Sequence, residues 1–175
     1  FRLGDGTMVR FNGGGATATD SLATVLAYDD TGGAPLRAAP NSGYARMERG
    51  STLIVADVAA APAGALSMKA HAGCLSFEVS SGEHAVIVNC GAPTPDHDDW
   101  RMFARSTPAH STLTFEESSA IFAGANGSEP SLNAELAGPP NVQASLNEEA
   151  DQGLTLRASH EGYAARFGVS HARRI

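Results

Sequence analysis

KAHAGCLSFEVSSGEHAVIVNC, residues 69–90, is the stretch that decides the fold. It contains two apolar runs, residues 75–79 and 85–88, separated by the polar segment 80–83. The alternation in the first run and the β-branched residues of the second run are typical of strands. Because the segment between them contains Ser and Gly, the sequence predicts a β-hairpin closed by a tight turn.

Polar residues collect at the open end of this hairpin. Lys69 and His71 precede the first strand, and Asn89 and Cys90 follow the second. A hairpin that gathers an amine, an imidazole, an amide and a thiol at one end could hold a metal or a substrate. Residues next to loops are commonly polar, so a plain strand pair with polar ends is the alternative.

Short strands separated by turn residues continue on both sides of the hairpin. The further strands predicted by the pattern are residues 44–48, 52–58, 100–106, 110–116, 142–146, 153–159 and 163–169. Many short strands with little helix favour an all-β fold, specifically an antiparallel β-sandwich. The segments 93–99 and 124–141 are predicted to be loops.

The first 43 residues have a different pattern. Residues 1–12 predict a short hairpin turning at Asp5 and Gly6. The glycine run 13–15 breaks it, and is no phosphate-binding loop because the Gly-Lys-Ser/Thr ending is missing. Residues 29–43 are rich in Asp, Gly, Pro and Asn and are typical of a linker or long loop.

One short helix is predicted in this N-terminal part, at residues 19–28. Thr19–Ser21 supplies candidate N-cap residues, and Leu22, Val25 and Leu26 are spaced to share one helix face. No other clear helix is predicted. The expected architecture is therefore a sandwich preceded by a hairpin and a short helix.

Composition narrows the function classes. Hydrophobic residues make up 42% of the 175 residues, which suffices for a packed core. A net charge of -7 argues against nucleic acid as a partner. No apolar run is long enough to span a bilayer. The chain begins with Phe1 rather than Met, and we expect it to be a fragment of a longer protein.

The basic residues are unusual, because Lys69 is the only lysine among 12 Lys and Arg residues. Arg suits bidentate contacts to carboxylate or sulfate, whereas Lys is a mobile point charge. A lone Lys beside His71 is compatible with a functional role. A GC-rich genome, which favours Arg codons, explains the same scarcity.

Two cysteines, Cys74 and Cys90, are too few for a disulfide framework. A bridge between them would need compatible Cβ positions, and a register shift of one residue changes the face of each side chain. Two buried free thiols are the favoured interpretation.

Three residues are candidate metal ligands, namely His71, Asn89 and His110, each of which lies near a predicted strand end. Two imidazoles and an oxygen could hold zinc, but zinc prefers a carboxylate or thiolate to an amide as its third ligand. From the residues alone, a hydrogen-bond network is favoured over a metal site. The acidic run 96–99 lacks the spacing of a calcium loop and is interpreted as a solvated loop.

Arg101 and Arg105 are candidate substrate-binding residues. In a strand, residues four apart point to the same face, so both guanidinium groups would project together. Such a pair could bind a uronate carboxylate or a sulfate. A charged outer face, paired with Glu116 or Glu117, remains the alternative.

Several motifs together resemble the heparinase II/III-like polysaccharide lyases. They are HAGCLSF from His71, VNCG from Val88 and WRMFARSTPAHSTL from Trp100. The family pattern is H-x-H-A-D-A-L-S-F, then D-P-G or D-S-G, then W-R-x-x-x-R-S-T-x-A-H-N-T. The resemblance is specific over about residues 66–116 and weaker elsewhere, including His160–Tyr163.

The resemblance implies a domain organisation. In this family a helical toroid precedes a β-sandwich, with the active site between them. Residues 1–43 would then be the end of the toroid or a linker. Residues 44–175 would form the sandwich, truncated at its C-terminus. The implied partners are an acidic polysaccharide and the helical toroid of the same protein.

The family's functional positions are only partly kept. His71 and His110 fall on two zinc ligands, whereas Asn89 replaces the Asp ligand. Lys69 replaces the His that takes part in proton transfer, and Gly73 replaces another Asp of the motif. The expected outcome is weak or absent zinc, with the Asn89 amide donating to one imidazole and accepting from the other. Asn89→Asp should raise zinc affinity.

The chemistry implied by the resemblance is β-elimination of a uronate-containing polysaccharide. A base takes the proton next to the carboxylate, whose charge must be neutralised. Lys69 could be that base only if its pKa fell from about 10.4 towards neutrality; otherwise it could clamp a carboxylate. The alternatives are a non-catalytic glycan-binding domain and a purely structural sandwich. The fragment alone is expected to be inactive, since further catalytic groups would come from the helical part.

Overall fold

A computed structural model describes residues 1–15, 17–30, 32–93, 97–116, 132, 134–149 and 153–175. Strands form two antiparallel sheets, in the orders β1-β2-β3-β4-β5 and β6-β7-β8. The strands are β1 (Ala38–Ala39), β2 (Tyr44–Arg49), β3 (Thr52–Asp57), β4 (Phe77–Ser81), β5 (His84–Ile87), β6 (Gln143–Glu149), β7 (Gly153–His160) and β8 (His171–Arg174). The helices are α1 (Thr19–Ala27), α2 (Asp98–Arg105) and α3 (Ala164–Phe167), with 3₁₀ turns at Gly64–Lys69 and Thr107–Ala109.

The central hairpin is β4–β5, and with it the predicted all-β antiparallel fold is confirmed. Ser81 pairs with His84 around the turn, and Gly82 in that turn has a φ of +55°. A positive φ is a conformation that glycine adopts without the steric cost of a side chain. The Ser/Gly segment therefore closes the hairpin as its composition predicts.

The sandwich core lies between the two sheets. Ala45, Met47 and Ala56 of the first sheet form a cluster with Leu156 of β7. Other apolar residues packed against this cluster come from both sheets: Ile54, Val58, Phe77, Leu146, Leu154 and Ile175. Burial of this apolar area is the main force that holds the sheets together.

The opposite face of the first sheet is also covered, by the N-terminal hairpin. Leu53 and Val55 of β3 pack against Phe11. On the neighbouring strand, Ser80 accepts a 2.9 Å hydrogen bond from the backbone N–H of Gly4. Strand β3 is therefore covered on both faces, whereas β5 at the edge of the sheet is exposed along its length.

Three of the predicted strands are wrong, and two of these follow one another in the chain. Residues 100–106 were expected as a strand, but Asp98–Arg105 is helix α2. Asp98 and Asp99 in its first turn and Arg105 in its last complement the helix dipole. The strand expected at 110–116 is mainly bends and irregular backbone.

The strand predicted at residues 163–169 is also wrong. Ala164–Phe167 is a short helix that ends at Gly168, whose φ is +69°. A glycine in the left-handed conformation is a common helix terminator. The third strand of this sheet instead starts at His171.

Helix α1 is confirmed at Thr19–Ala27, but its predicted N-cap residues are wrong. The N-cap residue is Ala18, and no side chain caps the helix. None of its residues is buried, and Val25 is 67% exposed. The helix therefore contributes little to the described core. None of the helices in the described ranges is both long and apolar enough to cross a bilayer.

Both cysteines are free thiols, as expected. Cys74 is buried, but Cys90 is exposed, so the prediction of two buried thiols holds only for Cys74. Asp96 of the acidic run, and residues 124–131 and 133 of the predicted long loop, lie outside the described residues. His97 to Asp99 are exposed, and the last two begin α2.

A buried pair of histidines joins β7 to β8. His160 Nε2 lies 3.1 Å from His171 Nδ1, and the Gly162 N–H donates to His160 Nδ1 at 3.0 Å. Burial lowers the pKa of His171 from 6.5 to about 4, with smaller contributions from His160 and Arg173. Burial also lowers the pKa of His160. Both imidazoles are therefore neutral in the folded protein at neutral pH.

This pair should make folding sensitive to acid. A lowered folded-state pKa contributes stability above the unfolded value of 6.5, and that stability is lost as pH falls towards about 4. We expect the urea midpoint to fall over this range. His171→Gln should make the fall shallower, whereas His84→Gln at an exposed site should not. Equal pH profiles for both variants would contradict this account.

Candidate functional site

A cleft of about 210 Å³ lies between the glycine run after the N-terminal hairpin and helix α2. Its lining brings together several residues that the sequence singles out and several that it does not. They are Gly13, Met68, Lys69, His71, Ala92, Pro93, Arg101, Arg105 and Leu132. The cleft therefore contains three basic side chains and one imidazole.

One wall of the cleft is backbone. Gly13 has a φ of +77°, and a Cβ at this position would lie 2.7 Å from the carbonyl oxygen of Lys69 and 3.2 Å from His71 Nε2. A larger residue would strain the chain and collide with the adjacent backbone. Gly13 therefore allows the N-terminal segment to approach the start of the central stretch closely.

His71 and His110 lie together beneath this wall. Their ring centroids are 5.4 Å apart, with an interplanar angle of 57°. Burial, followed by the proximity of His110 and then Arg105, lowers the pKa of His71 to about 3. Burial lowers the pKa of His110 to about 4, opposed by the backbone of Ala104. Both rings are therefore neutral at physiological pH.

The ring nitrogens of these two histidines are unusual, because most buried polar atoms have a hydrogen-bond partner. Within the described part of the chain, His71 Nδ1 and both ring nitrogens of His110 have no hydrogen-bond partner. Gly73 packs against the same ring, since a Cβ there would lie 3.1 Å from His110 Cγ. The Asp that the resemblance would place at this position would crowd His110, whose ring would have to shift by a few tenths of an ångström.

Asn89 is buried near these histidines but is bonded elsewhere. Its side-chain N–H donates to Glu78 Oε1 at 3.1 Å, and its oxygen accepts from the Ser111 N–H at 3.0 Å. The expectation that Asn89 bridges the two imidazoles is therefore wrong. The amide N–H of Asn89 is bonded to the fully buried carboxylate of Glu78 instead of to an imidazole nitrogen.

The residues present do not fit a zinc ion. His71 and His110 offer neutral nitrogens, but the Asn89 oxygen already accepts from Ser111, and its N–H faces Glu78. Among the described residues, no group of three or more His, Cys, Asp or Glu side chains could hold a metal. A third ligand is therefore missing, and zinc contributes no step to the chemistry below.

The two arginines have different environments. Arg101 is half-exposed and forms a 3.1 Å ion pair with Asp98 on the same helix. Arg105 is buried, and its guanidinium donates to the backbone oxygens of Ala70, Leu132, Ser67 and Ala134 at 2.9–3.3 Å. Four carbonyls on one guanidinium make Arg105 a structural cross-link, whereas Arg101 can turn towards a ligand.

A second, inner cavity lies on the other side of His71. Its polar lining includes Asn12, Asp57 and Cys74. Burial raises the pKa of Asp57 to about 7, although Asn12 donates to it at 2.9 Å and favours the charged form. Burial, and then Asp57, raise the pKa of Cys74 to about 12, so this thiol is not a nucleophile.

Sequence reasoning missed Gly13, Glu78, Ser111 and the Asn12–Asp57 pair. Glu78 carried a usable signal, because it is the only charged residue in the run 75–79. A charge in a strand of that kind is either on a solvated face or fixed by several donors. The other residues are ordinary loop or strand-end types, and only the fold brings them to the cleft.

The structural role of Arg105 is testable by a conservative substitution. Arg105→Lys should lower the free energy of unfolding by about 2–4 kcal/mol, because an ammonium cannot reach four carbonyls and leaves buried acceptors unpaired. Arg101→Lys, the matched control on the same helix, should change it by less than about 0.5 kcal/mol. Urea unfolding measures both, and similar losses would contradict the assignment.

The absence of a fitting ligand set predicts little zinc. Protein dialysed against zinc buffer and then freed of unbound metal should contain far less than one zinc per chain. His71→Ala should leave that content unchanged, because the imidazole pair lacks a third ligand. Elemental analysis measures the content. Stoichiometric zinc that disappears in His71→Ala would refute the interpretation.

Comparison with known proteins agrees with the fold. A family model described as Heparinase II/III-like, C-terminal matches residues 31–175. FtsZ-localized protein C from Caulobacter vibrioides (strain NA1000 / CB15N) is 33% identical over 180 residues, covering 100% of this chain and 30% of that protein. The chain thus spans less than a third of this curated relative.

Solved structures show the same architecture at low identity. The heparinase III-BT4657 gene product superposes with a TM-score of 0.65 at 15% identity, over 99% of this chain and 28% of that one. Heparan sulfate lyase HepC from Pedobacter heparinus gives 0.62 at 17%, again over 99% and 28%. Such identities show the fold alone. Because the family model matches most of its length, this chain belongs to the Heparinase II/III-like, C-terminal family.

Proposed function

We propose that this domain binds an acidic, uronate-containing polysaccharide in the cleft of Lys69, His71 and Arg101, without metal-assisted chemistry. The observation that supports this most is the division of the site by burial. Exposed Lys69 and half-exposed Arg101 border the cleft, whereas the histidines beneath them are buried and neutral. The cations at the opening of the cleft suit the carboxylates of an anionic ligand, and the neutral groups inside suit its hydroxyls.

Lys69 is better placed to hold a carboxylate than to remove a proton. A catalytic base at Lys69 would need burial or neighbouring cations to lower its pKa, and this residue is not buried, because it ends an exposed 3₁₀ turn. An exposed ammonium gives a flexible point charge with three donors. Arg101 adds a planar group that can bind the same carboxylate through two N–H donors.

His71 supports binding in its neutral form. Its pKa of about 3 means that the ring exchanges hydrogen bonds with ligand hydroxyls rather than forming an ion pair. Arg105, expected from the sequence to bind substrate, acts in this proposal as a positioning residue. Its contacts to the Ser67 and Ala70 carbonyls hold α2, and hence Arg101, against the 3₁₀ turn that carries Lys69.

The relatives' names support different parts of this proposal. Heparan sulfate lyase HepC is named for a reaction on an acidic glycan, and FtsZ-localized protein C for a location. A fold that serves an acidic glycan in one relative is compatible with glycan binding here. A name that describes a location is compatible with the absence of a reaction.

A second candidate is β-elimination by the longer protein. It is favoured by Lys69, which lines the cleft beside His71 at the position where the resemblance places proton transfer. The elimination would also need a carboxylate-neutralising group and an acid for the leaving oxygen. A helical toroid of the same protein would supply these groups as a partner of this domain. The isolated chain would then remain inactive.

One experiment separates the two candidates. Protein and full-length parent would each be mixed with heparan sulfate, chondroitin, hyaluronan and alginate, with dextran as the neutral control. We expect salt-sensitive binding to at least one uronate polymer, no binding to dextran, and no ultraviolet absorbance from an unsaturated uronate product. Lys69→Ala and Arg101→Ala should each weaken binding about tenfold, the loss of one charge-assisted contact.

Arg37→Ala is the matched control for these variants. Arg37 is exposed, pairs with Glu148 and lies outside the cleft lining. Its substitution should leave affinity unchanged. Equal losses in all three variants would indicate non-specific charge attraction and refute the cleft. Growing absorbance with the full-length parent would support the lyase instead.

A further inference from the structure

The strongest feature outside the cleft is a fully buried carboxylate. Glu78 lies in β4 with 0% of its surface exposed. One of its oxygens, Oε1, accepts three hydrogen bonds: from the backbone N–H of Arg10 at 2.9 Å, and from the backbone and side-chain N–H groups of Asn89, each at 3.1 Å. A charge in the interior requires such donors to offset its lost hydration.

Asn89 passes the connection onward. Its oxygen accepts from the Ser111 backbone N–H at 3.0 Å, and the Ser111 hydroxyl oxygen lies 3.4 Å from it. The same hydroxyl donates to the carbonyl of Phe77 and accepts from the Phe77 N–H at 2.9 Å. The circuit thus returns to the strand on which it began.

This circuit joins four separate segments. They are the N-terminal hairpin through Arg10, strand β4 through Phe77 and Glu78, the exit of β5 through Asn89, and the segment after His110 through Ser111. A zinc ion held by His71, His110 and residue 89 would join two of these segments, the exit of β5 and the stretch at residues 110–111. In the described structure, however, that ligand set is incomplete, whereas the hydrogen bonds run unbroken from Glu78 Oε1 through Asn89 to Ser111. The other carboxylate oxygen, Glu78 Oε2, is buried and has no partner among the described residues.

We propose that the Glu78–Asn89–Ser111 circuit replaces a metal as the cross-link of this site, and that residue 89 is an amide because Glu78 needs its N–H. The proposal does not depend on glycan binding. Asn89 can donate to Glu78 and accept from Ser111 at once, which a carboxylate cannot do. The substitution Asn89→Asp would remove the donor and place a second buried acceptor against Glu78.

The substitution Asn89→Asp would bring two buried carboxylates together. In Asn89→Asp, a carboxylate oxygen at the position of the present amide nitrogen would lie about 3.1 Å from Glu78 Oε1, where both residues are at most 1% exposed. Two carboxylates at that distance cannot both remain ionised without a large cost. The expected gain in zinc affinity from Asn89→Asp is therefore opposed by Glu78.

A double-mutant cycle tests the circuit. Unfolding midpoints would be measured at neutral pH for the wild type, Asn89→Asp, Glu78→Gln and the double variant, with chelator and with added zinc. Asn89→Asp should lower the midpoint by about 10 °C, the effect of breaking a buried charged network. Glu78→Gln should lower it in the wild type but raise it in the Asn89→Asp background. A purely structural packing role would not reverse this sign.

Asn147→Asp is the matched control. Asn147 is an exposed residue of β6, so the same chemical change there should leave the midpoint unaltered. The wild-type midpoint should be equal with chelator and with zinc. If Asn89→Asp fails to fold, recovery of soluble, folded protein by adding Glu78→Gln supports the proposal, and failure to recover refutes it. A chelator-sensitive wild type, or one sign for Glu78→Gln in both backgrounds, also overturns it.

Discussion

The buried carboxylate of Glu78 constrains much of this structure. A buried carboxylate oxygen needs donors, and the donors to Glu78 Oε1 belong to separate segments of the chain. The Arg10 N–H brings the N-terminal hairpin onto the sheet, and the two N–H groups of Asn89 fix the exit of the central hairpin. Because the N-terminal hairpin covers the sheet, the glycine run beyond it reaches the position where it closes the cleft.

Burial also divides the site chemically. Water stabilises the charged groups at the rim, so Lys69 and Arg101 are the groups available for an anion. Inside, the same loss of water that neutralises His71 and His110 makes any unpaired charge costly. Asn89 donates to Glu78 and accepts from Ser111 in this buried region, and its amide adds no charge. Lys69, the base that the resemblance suggests, is exposed at the rim.

Local signals account for what the sequence predicted well. The β2–β3 and β4–β5 pairs form between segments of alternating or β-branched residues with turn residues between them. Helix α2 was missed because Arg101 and Arg105 share a face in a strand and in a helix alike. The resemblance indicated which residues to compare, and the structure brings His71 and His110 together. The Glu78 circuit could not be predicted, because its partners are up to 68 residues apart and only tertiary packing joins them.

Gly13 has a consequence for how this cleft can change in evolution. Its missing side chain lets backbone form one wall, and any replacement would meet the Lys69 carbonyl at 2.7 Å. The chemistry of a backbone wall cannot be altered by point substitutions, whereas the α2 side can exchange Arg101 without disturbing the core. Substitutions that change the ligand preference would therefore arise on the α2 side of the cleft. The Gly13 side would keep the same backbone surface in every variant.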